Sequence, residues 1–200
     1  MESFFIFVML LLHNHLIITN MPVTDIDILK YPIGKAKIPT PISSQHITDW
    51  IQILEDFPEQ LTKLVSYLND SQLDTPYRPG GWTVRQVVHH LSDSHYNSYI
   101  RFKWALTEVK PIIKTYYEDR WAELRDGKSA PILLSLRSLE ALHQKWVYFL
   151  KGLSANELQH TFVHPETNEE VSLAENIGIY AWHSVHHYAH IDGLIKRMRW

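Results

Sequence analysis

The chain has no cysteine among its 200 residues. That excludes disulfides, thiolate metal sites and a cysteine nucleophile, and it leaves the compartment open. A basic surplus is also missing, since the net charge is −3 with neutral histidines. Nucleic acid is therefore not an expected partner. No apolar run reaches the roughly 20 residues that a membrane-spanning helix needs. The run from Phe4 to Ile18 is interrupted by His13-Asn14-His15. It makes a poor secretory signal too, because Glu2 is the only early charge and no Ala-x-Ala follows. Met21-Pro22-Val23 then opens an ordinary polar stretch. We read Met21 as the natural start and residues 1–20 as an extension outside the native fold; a membrane anchor or an atypical signal is the alternative. The chain shows no internal repeat and no low-complexity tract. What remains, with 45% apolar and 20% charged residues, fits one soluble globular domain with a proper core. We expect it in the cytoplasm, with no membrane partner.

Asp25 to Pro41 carries Pro32, Gly34, Pro39 and Pro41, so residues 21–42 read as an extended lead-in. A first helix starts at Ser43 or Ser44 and takes in Trp50, Ile51, Leu54, Leu61, Leu64, Val65 and Leu68 at helical spacing. Pro58 predicts a kink or break in it, and Asn69-Asp70-Ser71 its end. Leu73 to Trp82, rich in proline and glycine, reads as a structured loop. Thr83-Val-Arg-Gln86 is a capping box that opens a second helix, running to about Val109. Pro111 to Lys128 is mixed, with one helical turn near Trp121. Ser129-Ala-Pro131 looks like an N-cap for a third helix through Leu136, Leu139, Trp146 and Leu150, with Gly152 just past its end. Ser154 to His160 suits one short helix. Two short apolar ends around a polar turn between Thr161 and Val171 suit a small hairpin. Ser172-Leu-Ala-Glu175 is a second capping box, opening the last long helix. Lys196, Arg197 and Arg199 sit at its C-terminal end, where the helix dipole favours cations. Four long helices in residues 43–200 give an all-α four-helix bundle as the simplest packing, with long loops and a hairpin before the last helix.

The last helix carries His183, His186, His187 and His190, four of the thirteen histidines. Residues four apart stack on one helix face, so two pairs qualify as metal ligands, His183 with His187 and His186 with His190. The second helix carries His89, His90 and His95, and can supply a third nitrogen. Asp93, Ser94 and Asn97 continue the face of His90, a polar stripe that suggests a lined cavity. Two imidazoles on one helix and one on another match an open three-ligand site of the kind bundle cores hold. The competing reading is a histidine-rich helix with no metal. Spacing does not separate the two pairs.

Gly80-Gly-Trp-Thr-Val-Arg-Gln-Val-Val-His-His-Leu-Ser-Asp-Ser-His95 and Tyr180-Ala-Trp-His-Ser-Val-His-His-Tyr-Ala-His-Ile191 resemble the DinB/YfiT superfamily. The similarity is closest to its YfiT-type metal-dependent hydrolases. It extends to Tyr31-Pro-Ile-Gly34, Asp70-Ser-Gln-Leu-Asp-Thr-Pro-Tyr-Arg78 and Ser98-Tyr-Ile-Arg-Phe-Lys103. It thus covers nearly everything after about Leu29, and residues 1–20 lie outside it. In that family the first ligand is the histidine eight residues after the loop tryptophan, just before a leucine, which here is His90. The other two form a His-x-x-x-His pattern whose second member precedes x-[Gly/Ala]-[Gln/His]-Ile. That selects His187, followed by Tyr188-Ala189-His190-Ile191, and hence His183. His89, His95, His186 and His190 become outer, pocket or structural residues. The resemblance also implies a homodimer.

Three neutral imidazoles leave a position for water or substrate. Zinc is the expected ion and nickel the alternative, since both accept nitrogen ligands. Asp93, His186 and His190 are candidates for outer partners of the ligand imidazoles. Arg78, Arg85 and Arg101 are candidates to bind an anionic substrate. No residue pattern identifies a catalytic acid or base, or names the scissile bond. The leading reading is a metal-dependent hydrolase of a small molecule. The resemblance admits a second, a metal-dependent S-transferase that joins a low-molecular-weight thiol such as bacillithiol to electrophiles. A third is a non-catalytic metal-binding protein.

Overall fold

The computed structural model describes residues 23–200. The two alternatives for residues 1–20, and Met21 as a start, lie outside the described residues. Four long helices dominate: α2 (Ser44–Val65), α4 (Val84–Thr107), α7 (Ile132–Lys151) and α8 (Leu173–Met198). The smaller elements are α1 (Val23–Lys30), α3 (Asp70–Leu73), α5 (Glu118–Ala122), α6 (Arg125–Ser129) and a 3-10 turn at Glu157–Gln159. One antiparallel hairpin, β1 (Thr161–His164) with β2 (Glu169–Ser172), precedes α8, with Phe162 opposite Val171. α2 and α4 each border both α7 and α8, so they face one another across the bundle diagonal.

The caps explain where the helices begin. Ser43, Thr83 and Ser172 each accept from the backbone N–H three residues on, and His46, Gln86 and Glu175 return the bond. Asn69 and Gln72 form a further box at α3. The first helix therefore ends earlier than its apolar pattern implies, at Val65, and Asn69 starts a separate turn. α7 is capped by Pro131 without a side-chain bond, while Ser129 closes α6. Ser129 is thus not the N-cap its sequence context suggests, because the preceding turn claims it. Gly152 follows Lys151 in right-handed conformation, with φ −89°, so no left-handed stop is used there.

Two further expectations change. The lead-in is irregular only from Tyr31 onward, and Val23–Lys30 is helical. Val23–Lys30 holds no proline or glycine, and Pro32, Gly34, Pro39 and Pro41 all come after it, so nothing in those eight residues opposes a helix. Pro58 lies inside α2 without breaking it. Its missing N–H frees one carbonyl, and a neighbouring helix satisfies that oxygen, as described below.

The core separates into two apolar clusters. One holds Phe57, Leu61, Leu91, Leu139 and Ile191. The other holds Leu54, Phe102, Trp146, Ile177 and Tyr180. His95 of α4, His143 of α7 and the histidines of α8 fall between members of the two clusters, so a polar layer crosses an otherwise apolar bundle.

Burial decides what a truncation costs. Leu61 is 0% exposed and Tyr148 is 84% exposed. We expect Leu61→Ala to lose about 2–5 kcal/mol by urea unfolding, and Tyr148→Ala to stay within about 0.5 kcal/mol of the parent.

Candidate metal centre

α4 brings His90 to the polar layer, and α8 brings His183 and His187 one turn apart. Each offers a ring nitrogen, and these nitrogens all lie within 4.8 Å of one another. His90 and His187 are buried and His183 is partly exposed. His90 Nε2 stands 3.1 Å from His183 Nε2. Ring centroids are 4.5 Å apart for His183–His187 and 4.8 Å for His90–His187. Trp82, at the end of the preceding loop, covers His90 at 4.6 Å and stacks near His187 at 6.3 Å. Gly80 lets that loop turn, with φ 64°.

Burial sets the charge of the cluster. It pushes the His90 imidazolium down to about 3, with a smaller push from His186. It pushes His183 and His187 well below the ordinary histidine value, and the neighbouring imidazoles add to the effect. All three rings are therefore neutral at neutral pH, the form that ligates metals. Two lone pairs at 3.1 Å repel unless they share a cation, whether proton or metal ion. His187 Nδ1 is buried with no hydrogen-bond partner. A donor set of neutral nitrogens with an unspent buried atom fits a divalent metal.

His183 bonds outward through its other nitrogen. Its Nδ1 lies 3.2 Å from His95 Nε2. His95, which the sequence leaves among several outer or structural residues, is thus a direct partner of the cluster. The three outer partners singled out from the sequence do not take that place. Asp93 has no hydrogen bond to any of the three imidazoles; burial, with Asp126 nearby, pushes its carboxyl up to about 6. His186 stacks on Trp182 at 4.4 Å and is held down to about 4 by burial. His190 Nε2 donates to the Lys30 carbonyl at 3.0 Å, which ties it to α1, and its Nδ1 is buried with no hydrogen-bond partner. His89 is structural, tied to Ser135 Oγ at 2.7 Å and the Ala130 carbonyl at 3.1 Å. His143 is missed by pattern reading altogether. Its signal is a histidine on the stripe of Leu136, Leu139, Trp146 and Leu150, a core position on an apolar face.

The cluster floors a cleft of about 490 Å³ lined also by Tyr31, Arg78, Trp82 and Trp182. A second cleft, about 520 Å³, is lined by Ser94, Arg101, Tyr116, His164 and Tyr180. Both are lined by His183, Glu118 and Asp119, so α5 is their common wall. Gln86 holds that wall through the Ala122 carbonyl at 2.9 Å and Glu123 at 3.1 Å. Of the three arginines, Arg78 and Arg101 line a cleft. Arg85 does not, and its guanidinium is taken by Asp70 at 2.8 Å, Asp74 at 2.6 Å and the Ala130 carbonyl. It is a clamp joining α3, α4 and the start of α7.

Residues 53–191 match the DinB superfamily. The chain belongs to that superfamily. It is 56% identical over 172 residues to a Bacillus cereus protein named “Putative metal-dependent hydrolase”, covering 86% of this chain and 98% of the relative. Bacillus thuringiensis and Bacillus anthracis proteins of the same description match to the same extent. Among solved structures, YfiT from Bacillus subtilis, “a probable metal-dependent hydrolase with an unusual four-helix bundle topology”, superposes with a TM-score of 0.85 at 51% identity. That match covers 86% of this chain and 99% of YfiT. TT2238, a four-helix bundle protein, shares the fold at 20% identity, with a TM-score of 0.51 and coverage of 74% and 98%. No helix among the described residues is long and apolar enough to cross a membrane.

Two outcomes follow from this geometry. Mass spectrometry of untagged protein should find about one divalent ion per chain in the parent and in His190→Ala, and none in His187→Ala; loss only in His190→Ala would reassign the pair. The second outcome concerns acid. Burial pushes His143 down to about 4 from an ordinary 6.5, so the unfolded chain binds a proton that the folded chain refuses in that window. Stability should be full above pH 6.5 and fall as pH drops towards 4, read as a declining Tm.

Proposed function

We propose that this protein is a metal-dependent hydrolase of a small molecule, with His90, His183 and His187 holding one divalent ion. The observation that carries the reading is three neutral imidazoles with nitrogens within 4.8 Å, on the floor of an open cleft. The description of relatives at 56% identity supports it. Zinc is our choice of ion and nickel the alternative, since the nitrogen set suits both. A bound ion would polarise a substrate oxygen and acidify a bound water.

The chain supplies the rest. Trp82 lies against His90 and near His187, and His183 is the partly exposed ring of the three, so we place a reacting water on its side. The cleft volume of about 490 Å³ suits a drug-sized substrate rather than a polymer. Arg78 in this cleft, and Arg101 in the adjoining one, can each hold an anionic group. Glu118 and Asp119 are the carboxylates that line both clefts, and Glu118 is the group we propose to take and return the proton.

A panel of small esters, amides and phosphoesters, assayed with no thiol, tests this. We expect product release that a chelator abolishes and added metal restores. Glu118→Gln should keep its metal and lose about 10²-fold or more in kcat. Turnover of an electrophile only when a low-molecular-weight thiol is added would replace hydrolysis with thiol transfer. No rate above the metal-free control for any substrate would leave a metal-binding protein.

A further inference from the structure

We infer that His143 and His95 form a positioning relay that fixes the ring tautomer of His183 from a backbone carbonyl left free by Pro58. The relay bears on the metal-centre reading above, and only its effect on metal affinity rests on that reading.

The starting point is a proline in a continuous helix. Pro58 has no N–H, so the carbonyl four residues earlier, that of Leu54, loses its donor within α2. Leu54 is 0% exposed, so water does not replace the bond. His143 of α7 does, with Nδ1 2.5 Å from the Leu54 oxygen. A carbonyl only accepts, so His143 Nδ1 carries the hydrogen. The ring is 1% exposed and neutral, which leaves its Nε2 bare. His95 Nδ1 lies 2.7 Å from that nitrogen and must donate to it. His95 is 0% exposed and neutral as well, so its Nε2 is bare in turn. It accepts from His183 Nδ1 at 3.2 Å. His183 is thereby left with a bare Nε2, the atom that faces His90. Reversing any one step would set two hydrogens or two lone pairs against each other.

Packing keeps the rings from turning over. His95 is stacked on Phe57 at 5.8 Å and meets the edges of Trp146 at 5.9 Å and Tyr180 at 5.2 Å. His143 lies against Phe57 at 6.0 Å and Trp146 at 5.7 Å. The order of donors is thus built into the apo fold. A metal needs an unprotonated nitrogen, and the relay keeps one bare before any ion arrives. An acceptor on Nδ1–H also makes Nε2 a stronger base.

Two measurements test it, both on the full chain. Nitrogen-15 histidine spectra of the metal-free protein read the tautomer directly. We expect His183 protonated at Nδ1 and bare at Nε2; the opposite tautomer overturns the relay. Metal affinity by chelator competition is then compared for His143→Gln and His143→Phe. A glutamine keeps the polarity, since its amide N–H can donate to Leu54 and its oxygen accept from His95. We expect the glutamine variant close to the parent and the phenylalanine variant weaker by about 10–100-fold. Equal affinity in both variants, or equal loss in both with folding intact, overturns the relay. If His143→Phe does not fold, the same contrast is made with His95→Gln and His95→Leu. A parent that binds no metal would remove the metal-centre reading, and the tautomer spectra would still decide the relay.

Discussion

The structure depends on how a bundle core accommodates imidazoles. His89, His90, His95, His143, His186, His187 and His190 are each less than 9% exposed. Burial keeps such rings neutral, and a neutral ring has one donor and one acceptor to place. His89 places both, on Ser135 and Ala130. His143 and His95 place theirs on Leu54 and on one another. His90, His183 and His187 are left facing each other across two helices. The candidate centre is the place where three neutral ring nitrogens converge within 4.8 Å, and a cation would be a partner that all three could share.

That polar layer survives because apolar clusters enclose it on both sides. The surrounding ties are polar and directional. Asn176 donates to Ser98 at 2.9 Å inside the α4–α8 interface. Arg85 binds two carboxylates and a carbonyl, fixing the loop that delivers Trp82. Gln86, one residue on, fixes the wall that carries Glu118 and Asp119. The capping box that starts α4 therefore starts a segment whose first turns serve caps, clamp and candidate metal ligand in succession.

Much of this is legible in the sequence. Two capping boxes, at Thr83 and Ser172, mark helix starts by local chemistry alone, and the apolar period gives the four long helices. His90, His183 and His187 come together as the resemblance to the superfamily implies, whereas spacing left His186 and His190 as an equal pair. What separates the pairs physically is long-range. His90 of α4 comes within reach of His183 and His187, while His190 turns its Nε2 to the Lys30 carbonyl, in a helix that the sequence reads as extended lead-in. His95 and His143 escape attention for the same reason, since their partners lie 48 and 89 positions away in the chain. Asp93 looks like an outer partner from its helix face and has no such bond, and His95 is the residue that meets His183 Nδ1. Pro58 reads as a helix breaker because its compensation comes from another helix.

The path from Pro58 to His183 passes through every long helix: Leu54 in α2, His143 in α7, His95 in α4 and His183 in α8. α2 contributes no ligand, yet it holds the far end of the chain of bonds. A slide of α2 by a fraction of a turn would withdraw the carbonyl and let His143 rotate. Grip on a bound ion would then be a property of the assembled bundle, not of two helices. Metal release and loosening of α2 would be one event, so the ion would act as a latch on the whole domain.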